Sequence, residues 1–242
     1  MLVEADAPVR IVESPSAFPA GTRFEGLDAG AALPPLLRPG VLMSWEAHER
    51  WEEHAVATLT RSPAPESAIA RLAAQADRSR GWSPADGDCD AFLAACQREE
   101  PDASRAGGFG ATTPTQAWEL VAGTVTVRHL LSPPPPMEDE SAQRRVEAGW
   151  RTQAPVIGRW LAAKAFASWL ALQGDGLRTT VRGLALALGV LRAEAARGCR
   201  ESGRGLDRAL LEEALRRADL LLVHLADPQA LARRLSRCET SC

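Results

Sequence analysis

The residues best placed to do chemistry come first in the run WEAHERWEEH, where His48, Glu49, Glu52 and Glu53 follow one another at helical spacing. At about 100° per residue, His48 and Glu52 share a helix face, as do Glu49 and Glu53. A histidine and a carboxylate one turn apart can hold a divalent cation, and Glu49 beside them could serve as a base. Relative to the two-histidine zinc helix H-E-x-x-H, Glu52 stands where the second histidine would be, and the sequence places no third ligand. The plainer reading is an acidic, solvated helix face with Trp45 and Trp51 turned to the core, and it is the one preferred here. His54, His129 and His224 have no partner pattern and read as packed or solvent-facing residues. Lys164 sits among apolar residues, where burial would make a reactive amine, but snorkelling at a helix edge accounts for it as well and is favoured.

Five cysteines, Cys89, Cys96, Cys199, Cys238 and Cys242, are an odd number and read as thiols or ligands in a reducing compartment. Cys238 and Cys242, one helical turn apart, could bind metal or oxidise together; a frayed end carrying two thiols is the simpler reading. No glycine-rich phosphate loop, nucleophile elbow, CxxC pair or dinucleotide fingerprint is present.

The elements that must position these residues are helical. Of 242 residues, 45% are hydrophobic and 24% charged, enough for a real core. A net charge of −3 and an isoelectric point near 5.9 supply no field to gather phosphate backbones, so nucleic acid is not expected as a partner. The most apolar stretch, Leu184 to Val190, is bracketed by Arg182 and Arg192 and falls well short of the ~20 residues of a spanning helix. With an acidic N-terminus lacking a signal-like apolar run, a cytoplasmic protein without membrane attachment is expected. A single lysine among 27 arginines reads as a GC-rich bacterial genome.

Residues 1–43, dense in proline, read as an irregular arm with at most a short strand. Ser44 caps a helix running to Thr60, and a second helix covers Glu66 to Arg80. A short helix follows from Ala91 to Glu99. Thr113-Pro114-Thr115-Gln116 is a capping box opening a helix to about Leu131, although VAGTVTV within it alternates like a strand. Four prolines at 133–136 and the acidic stretch to 140 form a linker. Beyond it a bundle is expected: Ser141 to Trp150, Pro155 to Gln173 as a central buried helix, Leu177 to Arg197, Leu206 to Ala226, and Pro228 to Leu235 capped by Asp227. The fold class is mainly α, divided as arm 1–43, helical region 44–132, linker 133–140 and bundle 141–242.

Two segments carry a resemblance. GTRFEGLDAGAAL keeps the frame F-x-C-x-x-C-G-x-C-C through Phe24 and Gly30, with Gly26, Ala29, Ala32 and Leu33 in the cysteine places. GDCDAFLAACQREEPDASRAGGFG keeps Cys89, Phe92, Leu93, Cys96, Pro101 and Arg105 of a second cysteine pattern, while Ser104 replaces its third cysteine and Gly108 and Phe109 blur its Phe-Pro ending. In these features the chain resembles a degenerate member of the cysteine-cluster zinc- or iron-chelating family that includes flagellin lysine N-methylase-like proteins. The resemblance implies zinc or iron as the ancestral ion, with Cys89 and Cys96 as surviving ligands and His48 or Glu52 as the only nearby candidates to join them. Glycine, alanine and leucine donate no lone pair, so a cluster of the family type cannot form and no cofactor is expected.

That combination leads to a non-catalytic binding or scaffold protein acting through a protein partner, with Trp45, Trp51, Trp160, Phe166 and Trp169 as anchors. The rival is a metal-dependent protein-modifying enzyme of the lysine-methylation type using His48, Glu49, Glu52, Cys89 and Cys96. A third reading is a helical small-ligand protein with a pocket lined by Trp160, Phe166 and Trp169.

Overall fold

A computed structural model describes residues 35–98, 113–131, 139–166 and 174–237. Within them the chain is mainly α, as expected: a small hairpin and eight α-helices. Residues 1–34 of the arm, the prolines at 133–136, Trp169, Cys238 and Cys242 lie outside the described residues, as do both ends of the resemblance.

The arm's last residues form strands β1 (Leu36–Arg38) and β2 (Val41–Leu42), antiparallel with Leu36 opposite Leu42. Helix α1 (Trp45–Arg61) begins where expected, the Ser44 hydroxyl accepting from the Ala47 amide at 3.1 Å. Its inward face is Ala47, Trp51, Ala55 and Leu59 at spacings of four, with His48 and Thr58 beside them. Helices α2 (Pro65–Ser79) and α3 (Cys89–Arg98) follow, close to the expected bounds.

Several expectations are corrected. The helix opened by the Thr113/Gln116 capping box, α4 (Pro114–Ala122), stops well before Leu131. The β-branched run past Gly123 instead places Val125 in a single antiparallel bridge with Ala226. No break separates Trp150 from Pro155: α5 (Glu140–Phe166) runs straight through the proline. Pro155 and Arg151 both face solvent, so the carbonyl that the proline leaves without an amide is open to water and the ring meets no packed neighbour.

Helix α6 (Leu177–Ser202) is one turn longer than expected and ends on the left-handed Gly203. The last expected long helix is divided into α7 (Arg208–Asp219) and a wide π-turn, Leu220–Leu225. Helix α8 (Pro228–Arg237) then starts on the Asp227 cap, whose carboxylate accepts from the Ala230 amide at 2.9 Å. The π-turn arises because Ala226 and Asp227 are held to the α4 exit by the Val125 bridge and by the Asp227 amide on the Thr124 carbonyl (3.3 Å). The turn before them must then close as a wider ring, Ala226 N–H donating to the Leu221 carbonyl at 3.0 Å.

The central helix is α6 rather than α5: it touches α2, α4, α5, α7, α8 and β1. Helix α1 packs chiefly on α5, and Gly158 permits it, since a Cβ there would strike the Leu59 carbonyl. Gly176, at φ 61°, does the same for β1 at the start of α6. One buried cluster runs from Leu37 through Leu191 to Leu235, so residues before and after 133–140 share a core. No helix among the described residues is long and apolar enough to cross a membrane.

Candidate functional site

Helix α1 does place His48 and Glu52 together, with Nδ1 and Oε2 at 3.8 Å, beyond hydrogen-bond range. Burial lowers the pKa of His48. Burial first, and then the Glu49 charge, push Glu52 up to about 7. The pair therefore tends toward two neutral groups at neutral pH, and the Trp45 ring stands edge-on to the imidazole at 6.2 Å. Cys89 and Cys96 are both buried on α3 and reduced. Burial and the neighbouring Asp88 push the Cys89 thiol up to about 11, away from the thiolate that would ligate a metal. Among the described residues no three His, Cys, Asp or Glu side chains come together in a metal-holding group.

The other singled-out side chains divide between packed and exposed positions, His129 and His224 among the exposed. The His54 Nε2 lies 2.9 Å from Gln75 Oε1 and 3.4 Å from the Thr58 hydroxyl. Lys164 snorkels as anticipated, its Nζ 2.5 Å from Asp219 and 5.3 Å from the Trp160 ring centre. Trp51 and Trp160 are buried, Trp160 donating to Asp219 at 3.0 Å, whereas Trp45 is 41% and Phe166 69% exposed.

Three tryptophans share one device. Trp118 donates to Glu194 at 2.8 Å, Trp150 to Glu66 at 2.9 Å, and Trp160 to Asp219, and each carboxylate also meets a cation: Arg197, Arg192 and Lys164 respectively. The first ties α4 to α6 and the third α5 to α7, while the second joins α5, α2 and, through Arg192, α6. In the first alone both charged side chains are buried, Glu194 being 5% and Arg197 7% exposed.

Beside that buried pair opens a shallow cleft holding a cavity of about 40 Å³, in contact with solvent. It is lined by Trp118, Leu131, Glu194, Arg217 and the π-turn leucines 220, 221 and 225. The leucines form an apolar mouth, and beyond it Leu220 (48%), Val223 (57%) and Val127 (39%) are exposed. Arg217 at the edge is held by Glu213 at 2.9 Å and Glu201 at 3.3 Å. None of the cleft residues was a site candidate in the sequence. Trp118 and Glu194 are 76 residues apart, and the exposure of Leu220 and Val223 depends on the π-turn. The one local signal was the unbroken LLLV run after Asp219. Comparison with protein-family models, with curated proteins and with solved structures finds no match to this chain.

Proposed function

We propose that this chain is a non-catalytic binding component, descended from a cysteine-cluster chelating protein, that engages a protein partner through the cleft mouth formed by α4, α6 and the π-turn. The observation that carries the reading is a concave opening lined by Leu131, Leu220, Leu221 and Leu225, with Leu220 half exposed and Val127 and Val223 exposed on the two segments that supply the lining. Isolated exposed apolar residues need no explanation; several on the segments that build one concavity mark an interaction surface. The cavity of about 40 Å³ is far below the ~300–1,000 Å³ of small-molecule sites and has room for no more than one small side chain. The π-turn also supports it, since such segments recur at functional positions. The anchors expected among Trp51 and Trp160 belong instead to the core.

A photo-crosslinking residue placed at Val223, with one at exposed Glu53 on α1 as control, tests this in the cells that make the protein. A protein adduct specific to position 223 and lost with Leu220→Asp is expected. No adduct, or equal adducts at both positions, overturns the reading. The metal-enzyme alternative makes a separate demand: a stoichiometric zinc or iron ion in the anaerobically purified protein, lost with Cys89→Ala.

A further inference from the structure

Independently of the cleft, we infer that the outer face of α1 is a second docking surface, one that takes an arginine or lysine side chain of a basic protein segment. The residues are Trp45, His48, Glu49 and Glu52, whose spacings of three, four and seven set them side by side on one helix face. Trp45 is 41% exposed, as is Leu42 three residues before it, so an open indole and an aliphatic side chain stand at the start of the helix. An indole with free surface attracts a cation through its ring quadrupole.

The imidazole is the group this face leaves unfinished. The His48 side chain is 9% exposed, and among the described residues its ring nitrogens have no hydrogen bond, Glu52 lying at 3.8 Å. Burial keeps the ring neutral, with a lone pair to offer a donor. A guanidinium or ammonium between Trp45 and Glu52 would donate to that lone pair. It would also restore the charge of Glu52, which burial first and then Glu49 hold at a pKa of about 7.

The surrounding charge fixes the sign of the partner. Glu46, Glu49, Glu53 and Asp88 are exposed and have no ion pair among the described residues. Arg50 pairs with Asp90, and Arg38 of the hairpin donates to the Trp82 carbonyl. Setting Arg50 against Asp90 and Arg38 against Asp88 still leaves Glu46, Glu49 and Glu53 uncancelled. Arg71 on α2 acts electrostatically on His54, on the opposite side of α1 from Trp45. A basic segment is thus complementary, its charge speeding encounter and its contact with the indole anchoring it. A divalent cation would need a third ligand, and among the described residues no three His, Cys, Asp or Glu side chains come together to supply one.

Selection of displayed random peptides on the intact protein, counter-selected on Trp45→Ala, tests the inference. The enriched peptides should share arginine or lysine. Synthesised winners should lose roughly tenfold in affinity with Trp45→Ala or Glu49→Lys, and should weaken as salt rises. Binding at pH 7 should release protons, read by calorimetry in buffers of different ionisation enthalpy, and Glu52→Gln should abolish the release. Peptides without basic residues, winners that Trp45→Ala does not distinguish, or binding without proton release overturn it. So does one equivalent of zinc lost with His48→Gln, which would make the face a metal site. Self-association lost with Trp45→Ala would make the occupant a second copy and overturns it too. If Trp45→Ala lowers the helicity or the melting temperature, Glu49→Lys carries the test, since that side chain is exposed. The crosslink at Val223 is untouched by any of these outcomes, so the two surfaces fail separately.

Discussion

Trp118 with Glu194 and Arg197, and Trp150 with Glu66 and Arg192, are the same three-part device in two environments. The first is buried between α4 and α6, with Trp118 and Glu194 forming part of the cleft wall. In the second, Glu66 is 43% exposed, a second carboxylate, Glu147, also binds Arg192, and the guanidinium lies over the Trp150 ring at 4.5 Å. In water a pair of this kind contributes little because solvent competes for both charges. In the core it gains little net stability over apolar packing, yet losing one partner strands the other charge where water cannot reach it. The same residue types thus act as a mild surface tie in one place and as an all-or-none joint in the other, and the cleft is built against the joint.

The comparison makes graded predictions. Glu194→Ala should be the most damaging, destabilising by about 3–5 kcal/mol in urea unfolding, because Arg197 is left buried without its carboxylate. A loss no greater than that of Glu66→Ala would dissolve the distinction. The double variant Glu194→Leu/Arg197→Met removes both charges and should recover more than half of that loss, with Trp118 N–H left as the residual defect. A double variant no better than Glu194→Ala would show that packing rather than charge governs the site.

Next in size is the pH response of α1. The folded-state pKa of Glu52, about 7 against an ordinary 4.5, means its contribution is whole below 4.5 and is lost as pH rises through 7. His48, lowered from 6.5, behaves oppositely: its contribution is whole above 6.5 and is lost as pH falls through the folded value. Melting temperature should therefore decline from pH 6.5 to 8, and Glu52→Gln should flatten that decline and steepen the rise in stability with pH between 4.5 and 6.5, where Glu52 opposes His48. His48→Gln should flatten the acid side alone. An unchanged alkaline slope in Glu52→Gln would refute the assignment. Smallest is Glu66→Ala, about 0.5–1 kcal/mol and shrinking as salt is raised, read by the same urea titration. A loss insensitive to salt would mean that Glu66 acts through Trp150 packing rather than through Arg192.

Much of the helical layout was legible because it rests on short-range signals. The Ser44 cap, the Thr113/Gln116 box and the Asp227 cap are all used as the sequence suggested. The Pro155 break was misread: the proline costs one hydrogen bond and crowds the Arg151 carbonyl, but that side of the helix is exposed and the packing of α5 on α1 and α6 carries the helix through. The helix beyond Gly123 was misread because its end depends on Ala226, about a hundred residues away. At the candidate site, the helical pairing of His48 with Glu52 could be read directly, but their mutual geometry and burial could not. The cleft was invisible, since its floor joins residues 76 positions apart.

The sequence by itself determined the helical class, the starts of α1, α4 and α8, and the lack of a long apolar span among the described helices, since caps and periodicity act within a turn or two. Only the tertiary structure decided that Trp118, Trp150 and Trp160 find carboxylates on distant helices, that α6 is the centre, and that a π-turn displays Leu220 and Val223. Those outcomes depend on which helices are brought together. Burial and long-range pairing are properties of the packed chain, to which no local run of residues has access.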